Sequence, residues 1–170
     1  MQNLAKLVLR ELAEVLKPES FRKKKNRFFH EGPDSILWIE VQKSRDSTDD
    51  RYIFTINLGA FLPILARTLG EDIREIDILN GHWNTRLGLL LPVHDDYWWE
   101  VANPEQAAVI GREVADLVKQ YGLPALRRAG TISGLIGFFE TGPGIIYAGS
   151  RRQEVLSALK QLVGDGGCDV

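Results

Sequence analysis

The sequence predicts an α+β fold: an N-terminal helix, an antiparallel sheet of about four to five strands, and C-terminal helices packed on one face. Three observations carry this prediction. Apolar residues recur at helical spacing from Leu4 to Leu16. From about Arg27 to Val101 the helical period gives way to short strand-like runs rich in β-branched and aromatic residues, with Tyr52 to Leu58 in strict alternation. Helical spacing returns after Asn103-Pro104, and the order helix, strands, helices is that of an α+β domain.

In the first helix Leu4, Leu7, Val8, Leu12, Val15 and Leu16 form an apolar stripe broken by Glu11. Lys17-Pro18 stops it, because proline disfavours the α conformation in the residue before it. Arg27 to His30 reads as the first arm of a hairpin. Gly32-Pro33-Asp34 is its turn, and Ile36 to Val41 is the second arm. After the polar loop RDSTDD, the segment RYIFTINLGAF alternates as a third strand, with Tyr52, Phe54, Ile56 and Leu58 on one face. The polar excursion GEDIREIDILNGH leads to TRLGLLLPV, read as a fourth strand ended by Pro92; Trp98 to Val101 extends it or adds a fifth.

Asn103 is a good N-cap and Pro104 suits the first helical position. The stripe Ala107, Ala108, Ile110, Val114, Leu117, Val118 and Tyr121 follows, with Gly122-Leu123-Pro124 expected to end the helix. GTISGLIGFFETGPG then suggests a short helix and a tight turn, and a final helix is expected from about Arg151 to Val163.

With 170 residues, 44% hydrophobic and 26% charged, the chain is expected to form one domain, 1–170. At that size ~70% of the unfolded surface can be buried without metal or disulfide. The net charge of −2 provides no global field for nucleic acid or anionic membrane. Cys168 is the sole cysteine, so no intramolecular disulfide forms, which suits a reducing cytoplasm. The N-terminal helix is too interrupted by charge for a signal peptide, and no apolar run is long enough to span a membrane. A cytoplasmic location is expected.

The blocks FRKKKNRFF, IEVQKSRDS, FTINLGAF, HWNTRLGLL and WWEV stand in an order that resembles a bacterial family catalogued as a domain of unknown function, family 4304. The resemblance spans about residues 7–124 and leaves a Gly-rich helical extension, 125–170, outside it. It implies an α+β fold and supplies no catalytic residue.

Several chemistries find little support. His30, His82 and His94 are the only histidines, and none has a ligand at metal-binding spacing, so neither a metal nor any other cofactor is expected. No G-x-S-x-G elbow or glycine-rich phosphate loop occurs. The run Arg22, Lys23, Lys24, Lys25, Arg27 precedes Phe28 and Phe29 and could contact single-stranded nucleic acid. Strand alternation would split that charge between two faces, however, and a charged edge strand that resists aggregation explains it better. Nucleic acid is therefore a disfavoured partner.

The stretch HDDYWWEV remains. Alternation sends Tyr97, Trp99 and Val101 to one face and Trp98 and Glu100 to the other, so Trp99 is expected in the core. Trp98, with Trp83, Arg86, His94, Asp95 and Asp96, forms the expected binding surface, because Trp and Arg dominate interface energetics. The leading reading is a non-catalytic binding module whose partner is another protein, with an immunity-like or regulatory role by analogy. The alternatives are a small-molecule enzyme with a cleft near His82, Arg86 and His94, and a weak single-stranded nucleic-acid binder through Arg22–Arg27.

Overall fold

The computed structural model describes residues 2–71, 81–142 and 149–165. Cys168, most of the GEDIREIDILNGH excursion and the end of the GPG turn lie outside them. The elements are α1 (Gln2–Leu16), β1 (Arg22–Lys24), β2 (Arg27–Glu31), β3 (Ile36–Lys43), β4 (Tyr52–Phe61) and α2 (Pro63–Thr68). After these come β5 (Trp83–Arg86), a 3-10 turn (Leu87–Leu90), β6 (Trp99–Val101), α3 (Pro104–Leu117), a π-turn (Val118–Gly122), α4 (Leu123–Ala129), α5 (Ile132–Thr141) and α6 (Gly149–Asp165). The fold is α+β. No described helix is long and apolar enough to cross a membrane.

The sheet has six strands, in the order β1-β2-β3-β4-β5, with β6 also paired to β4. The sequence pattern predicts four or five. The basic run, expected as a charged edge strand, forms one of its own, β1: it turns at Lys25, where φ is +58°, and pairs back on β2 with Arg22 opposite Phe29. All of β1 is exposed at the sheet edge, where lysine and arginine disfavour pairing with another chain.

The expected fourth strand is shorter than its sequence suggests. It stops at Arg86, and the leucines beyond it coil into the 3-10 turn. Gly122-Leu123-Pro124 does not end the helical path after α3; the chain passes through the π-turn straight into α4. Pro124 has no N–H for the carbonyl four residues back, and its ring would press on that carbonyl. The wider turn, in which the Leu123 N–H bonds to Val118 O, accommodates it. Helix α2 has no counterpart among the expected elements.

The chain divides into two compact units built from interleaved segments. The first comprises Met1–His30, Trp38–Leu58 and Arg86–Pro124. Its core collects Leu4, Val8, Leu12 and Leu16 of α1, the row Tyr52, Phe54, Ile56 and Leu58 of β4, and Val114 of α3, all buried. Helices α1 and α3 pack closely because Gly111 has no side chain: a Cβ there would sit 3.0 Å from Glu11 Cγ and 3.2 Å from Val8 Cα. Asn103 caps α3 by accepting from the Gln106 N–H at 2.9 Å.

The second unit comprises Glu31–Leu37, Gly59–Thr85 and Ala125–Val170. Its buried residues include Phe61, Leu62, Leu65, Trp83, Leu126, Leu135, Phe138, Phe139, Val155 and Leu159. Thr131 caps α5, its hydroxyl accepting from the Gly134 N–H at 3.1 Å.

Candidate functional site

In the first unit the sheet has one apolar face and one mixed face, where the polar side chains of Glu40, Gln42 and Asn57 share the surface with the buried Trp38. Strand β6 pairs antiparallel with β4, setting Tyr52 opposite Val101, Ile53 opposite Glu100 and Phe54 opposite Trp99. Trp99 is 4% exposed and stacks on Phe54 with centroids 5.9 Å apart; Phe54 in turn stacks on Tyr52 at 5.2 Å. Burial pushes the Tyr52 phenol up to about 12, so it stays protonated and uncharged. Alternation then sends Trp98 and Glu100, like Ile53, Thr55 and Asn57, to the opposite face.

That opposite face carries a half-buried polar network. Glu40 of β3 accepts from Arg27 Nε at 2.8 Å, from Asn57 Nδ2 at 3.3 Å and, more weakly, from Asn26 Nδ2 at 3.5 Å. Asn57 also donates to Gln42 Oε1 at 2.8 Å. The carboxylate is thus held by donors on two neighbouring strands and on the turn before β2. The Thr55 hydroxyl donates to Tyr97 O at 2.9 Å, pinning the segment that leads into β6.

The loop from Arg86 to Trp98 forms the lip of this face. Leu91 N–H closes the 3-10 turn on Gly88 O at 3.3 Å. His94 adopts a left-handed conformation, φ +47°, while its Nδ1–H donates to Leu89 O at 3.0 Å. Asp95 accepts the Asp96 N–H at 2.7 Å on its side chain, and its carbonyl accepts the Tyr97 N–H at 2.9 Å. His94 and Asp95 therefore shape the loop. Asp96 instead pairs with Arg86, whose guanidinium lies 5.1 Å from the Trp98 ring centroid. Val93 and Tyr97 stand out from the same loop, 66% and 47% exposed, and Trp98 is half-buried.

Of the residues expected on the surface, Arg86, Asp96 and Trp98 come together, and His94 and Asp95 build the loop that joins them. Trp83 does not join this group. It is fully buried in the second unit against Phe138, at 5.1 Å, so it has no surface to offer a partner. His82 is likewise buried, and burial together with the nearby Arg151 charge lowers its pKa to about 4. Among the described residues, no group of three or more His, Cys, Asp or Glu could hold a metal ion.

The network of Arg27, Glu40, Gln42 and Asn57 is absent from the sequence-based expectations. Its signal is nonetheless there: the polar members of IEVQ and FTIN fall two apart, as one face of a strand requires.

An α+β domain with one helix-packed sheet face and one mixed face lipped by an Arg–Trp pair is the class that fold and site define. The family model described as a domain of unknown function, DUF4304, matches residues 12–128, and the chain belongs to that family. No curated protein and no solved structure matches it.

Proposed function

We propose that this protein is a non-catalytic binding module that engages another protein through the lip of its mixed sheet face. The observation that carries this reading is the Arg86–Trp98 stack. An arginine held over an indole by Asp96, outside the apolar core, is an arrangement that core packing does not need. Arginine, tryptophan and tyrosine are the residues that dominate interface energetics. Val93 adds exposed apolar surface to the same loop, while the Tyr97 ring packs edge-on against Trp99. Asp96 neutralises the arginine, so the fitting partner presents an apolar or aromatic patch with a few hydrogen-bonding groups rather than a dense acidic surface.

The test is site-specific photo-crosslinking from position 93, followed by affinity measurement with the protein captured. Trp98→Ala and Arg86→Ala should each weaken that complex by ~2 kcal/mol or more while leaving the fold intact. Unchanged affinity in both variants would refute the assignment.

A further inference from the structure

The second unit contains a half-open cleft of ≈ 500 Å³. Its apolar wall is Leu62, Ile64, Ile132 and Val163, drawn from the start and body of α2, the first turn of α5 and the end of α6. Ile64 and Val163 are 36% and 53% exposed. The described residues include five exposed large hydrophobics: Val93 and Tyr97 belong to the lip, Ile64 and Val163 line this cleft, and only Val109 stands apart. The cleft also carries one charge of each sign. Asp34 lies in the turn between β2 and β3, and Arg67 lies in the last turn of α2. Among the described residues neither side chain makes an ion pair or a hydrogen bond, with each other or with any neighbour. Both charges are exposed, so neither is needed to neutralise the other within the fold.

An apolar wall flanked by an uncommitted cation and an uncommitted anion complements a ligand that is apolar in its body and carries both charges itself. We propose that this cleft binds a small aliphatic zwitterion, an α-amino acid or dipeptide with branched apolar side chains. Arg67 takes the carboxylate, in the geometry for which a guanidinium is suited, and Asp34 takes the ammonium. The volume lies within the roughly 300–1,000 Å³ of small-ligand sites and leaves room for more than one side chain. The Ser133 hydroxyl, at the same rim, is available to the ligand's polar atoms. This site and its ligand are separate from the protein contact proposed above.

The experiment uses the whole chain and leucyl-leucine, with leucine as the smaller probe, followed by ¹⁵N-¹H correlation spectra and calorimetry. The expected result is saturable binding that shifts the amides of Arg67, Ile132 and Ser133. N-acetyl-leucine, which lacks the ammonium, and leucinamide, which lacks the carboxylate, should each bind about tenfold or more weakly than leucine. Arg67→Gln and Asp34→Asn should each cost the dipeptide a similar factor, and both are surface changes that leave the fold intact. Ser133→Trp, which fills the rim, should abolish binding without unfolding the protein. No saturable shift at millimolar dipeptide would overturn the proposal. Binding of the two blocked analogues as tight as that of leucine, or shifts that persist in Arg67→Gln and Asp34→Asn, would overturn it as well.

Discussion

The Leu62 backbone N–H donates to His82 Nδ1 at 3.0 Å, and this bond dictates which imidazole nitrogen bears the proton. With Nδ1 accepting, neutral His82 carries its hydrogen on Nε2, which has no acceptor within hydrogen-bonding range among the described residues. A carboxylate oxygen of Glu71 is 3.8 Å away, and the same carboxylate is already engaged by Arg151. A second proton would have to go on Nδ1, facing the Leu62 donor. Desolvation and the Arg151 charge oppose it further, and together they bring the pKa to about 4 from the ordinary 6.5.

The consequence is a specific pH dependence. A histidine depressed in the folded state takes its proton first in the unfolded chain. Its contribution to stability is therefore complete above about pH 6.5, is lost as pH falls from there toward 4, and changes no further below. The loss should be on the order of 3 kcal/mol. Urea unfolding of wild type and His82→Gln at about pH 7.5 and pH 4.5 isolates this from the carboxylates, since only the wild type has the histidine. Glutamine can still accept from Leu62 through its carbonyl. An equal pH effect in both proteins would show that His82 is not its source.

Trp98 and Trp99 are adjacent in sequence and should differ sharply in cost. Trp99→Ala removes a buried ring that contacts Phe54 and Tyr97, and should destabilise by ~3–5 kcal/mol because the cavity cannot fully collapse. Trp98→Ala removes a half-buried ring whose stacking partner is an arginine outside the core, and should cost about 1 kcal/mol. Chemical denaturation of both variants checks the ratio. Near-equal losses would place both rings in the core and remove the support for a contact surface.

The basic edge strand makes a different demand. Lys23→Glu combined with Lys25→Glu should stay within roughly 0.5 kcal/mol of wild type, since neither side chain is buried. If β1 serves only to guard the sheet edge, the double variant should also show a greater tendency to self-associate. A carboxylate between Arg22 and Lys24 turns a uniformly cationic edge into one of mixed sign, which repels a second copy of itself less. Sedimentation of the two proteins at matched concentration reads this directly. Micromolar binding of single-stranded DNA by the wild type, steeply weakened by salt, would instead assign these charges to phosphate contacts.

The opposite faces of Trp98 and Trp99 are legible in the sequence because alternation is a local property of a strand. The same rule marks Tyr52, Phe54, Ile56 and Leu58 as one buried row. What escapes it depends on partners distant in sequence. Trp83 reads like any other strand tryptophan until Phe138 is brought against it from α5. The strand expected over TRLGLLLPV fails because the leucines have no preference strong enough to resist the turn that Gly88 permits. The Asp34–Arg67 cleft joins different elements of the fold: Asp34 reads only as part of the hairpin turn, and nothing local ties it to Arg67.

Gly88 offers the most direct test of how the lip is made. A Cβ there would sit 2.7 Å from Tyr97 N and closer still to Asp95 O, both of them backbone atoms that cannot rotate away. Gly88→Ala must therefore push the 3-10 turn off the 95–97 segment or shift that segment bodily. The tight turn of Asp95, the Asp96 reach to Arg86 and the Thr55–Tyr97 bond all depend on where that segment lies. The variant should lose about 2 kcal/mol or more of stability, as an overpacked site does. Part of the loss should also appear as quenching or exposure change at Trp98, whose indole would no longer be covered by Arg86. If the protein instead keeps wild-type stability and an unchanged tryptophan emission spectrum, the close approach at Gly88 does not hold the loop. The stack of Arg86 on Trp98 must then be maintained by the Asp96 ion pair alone.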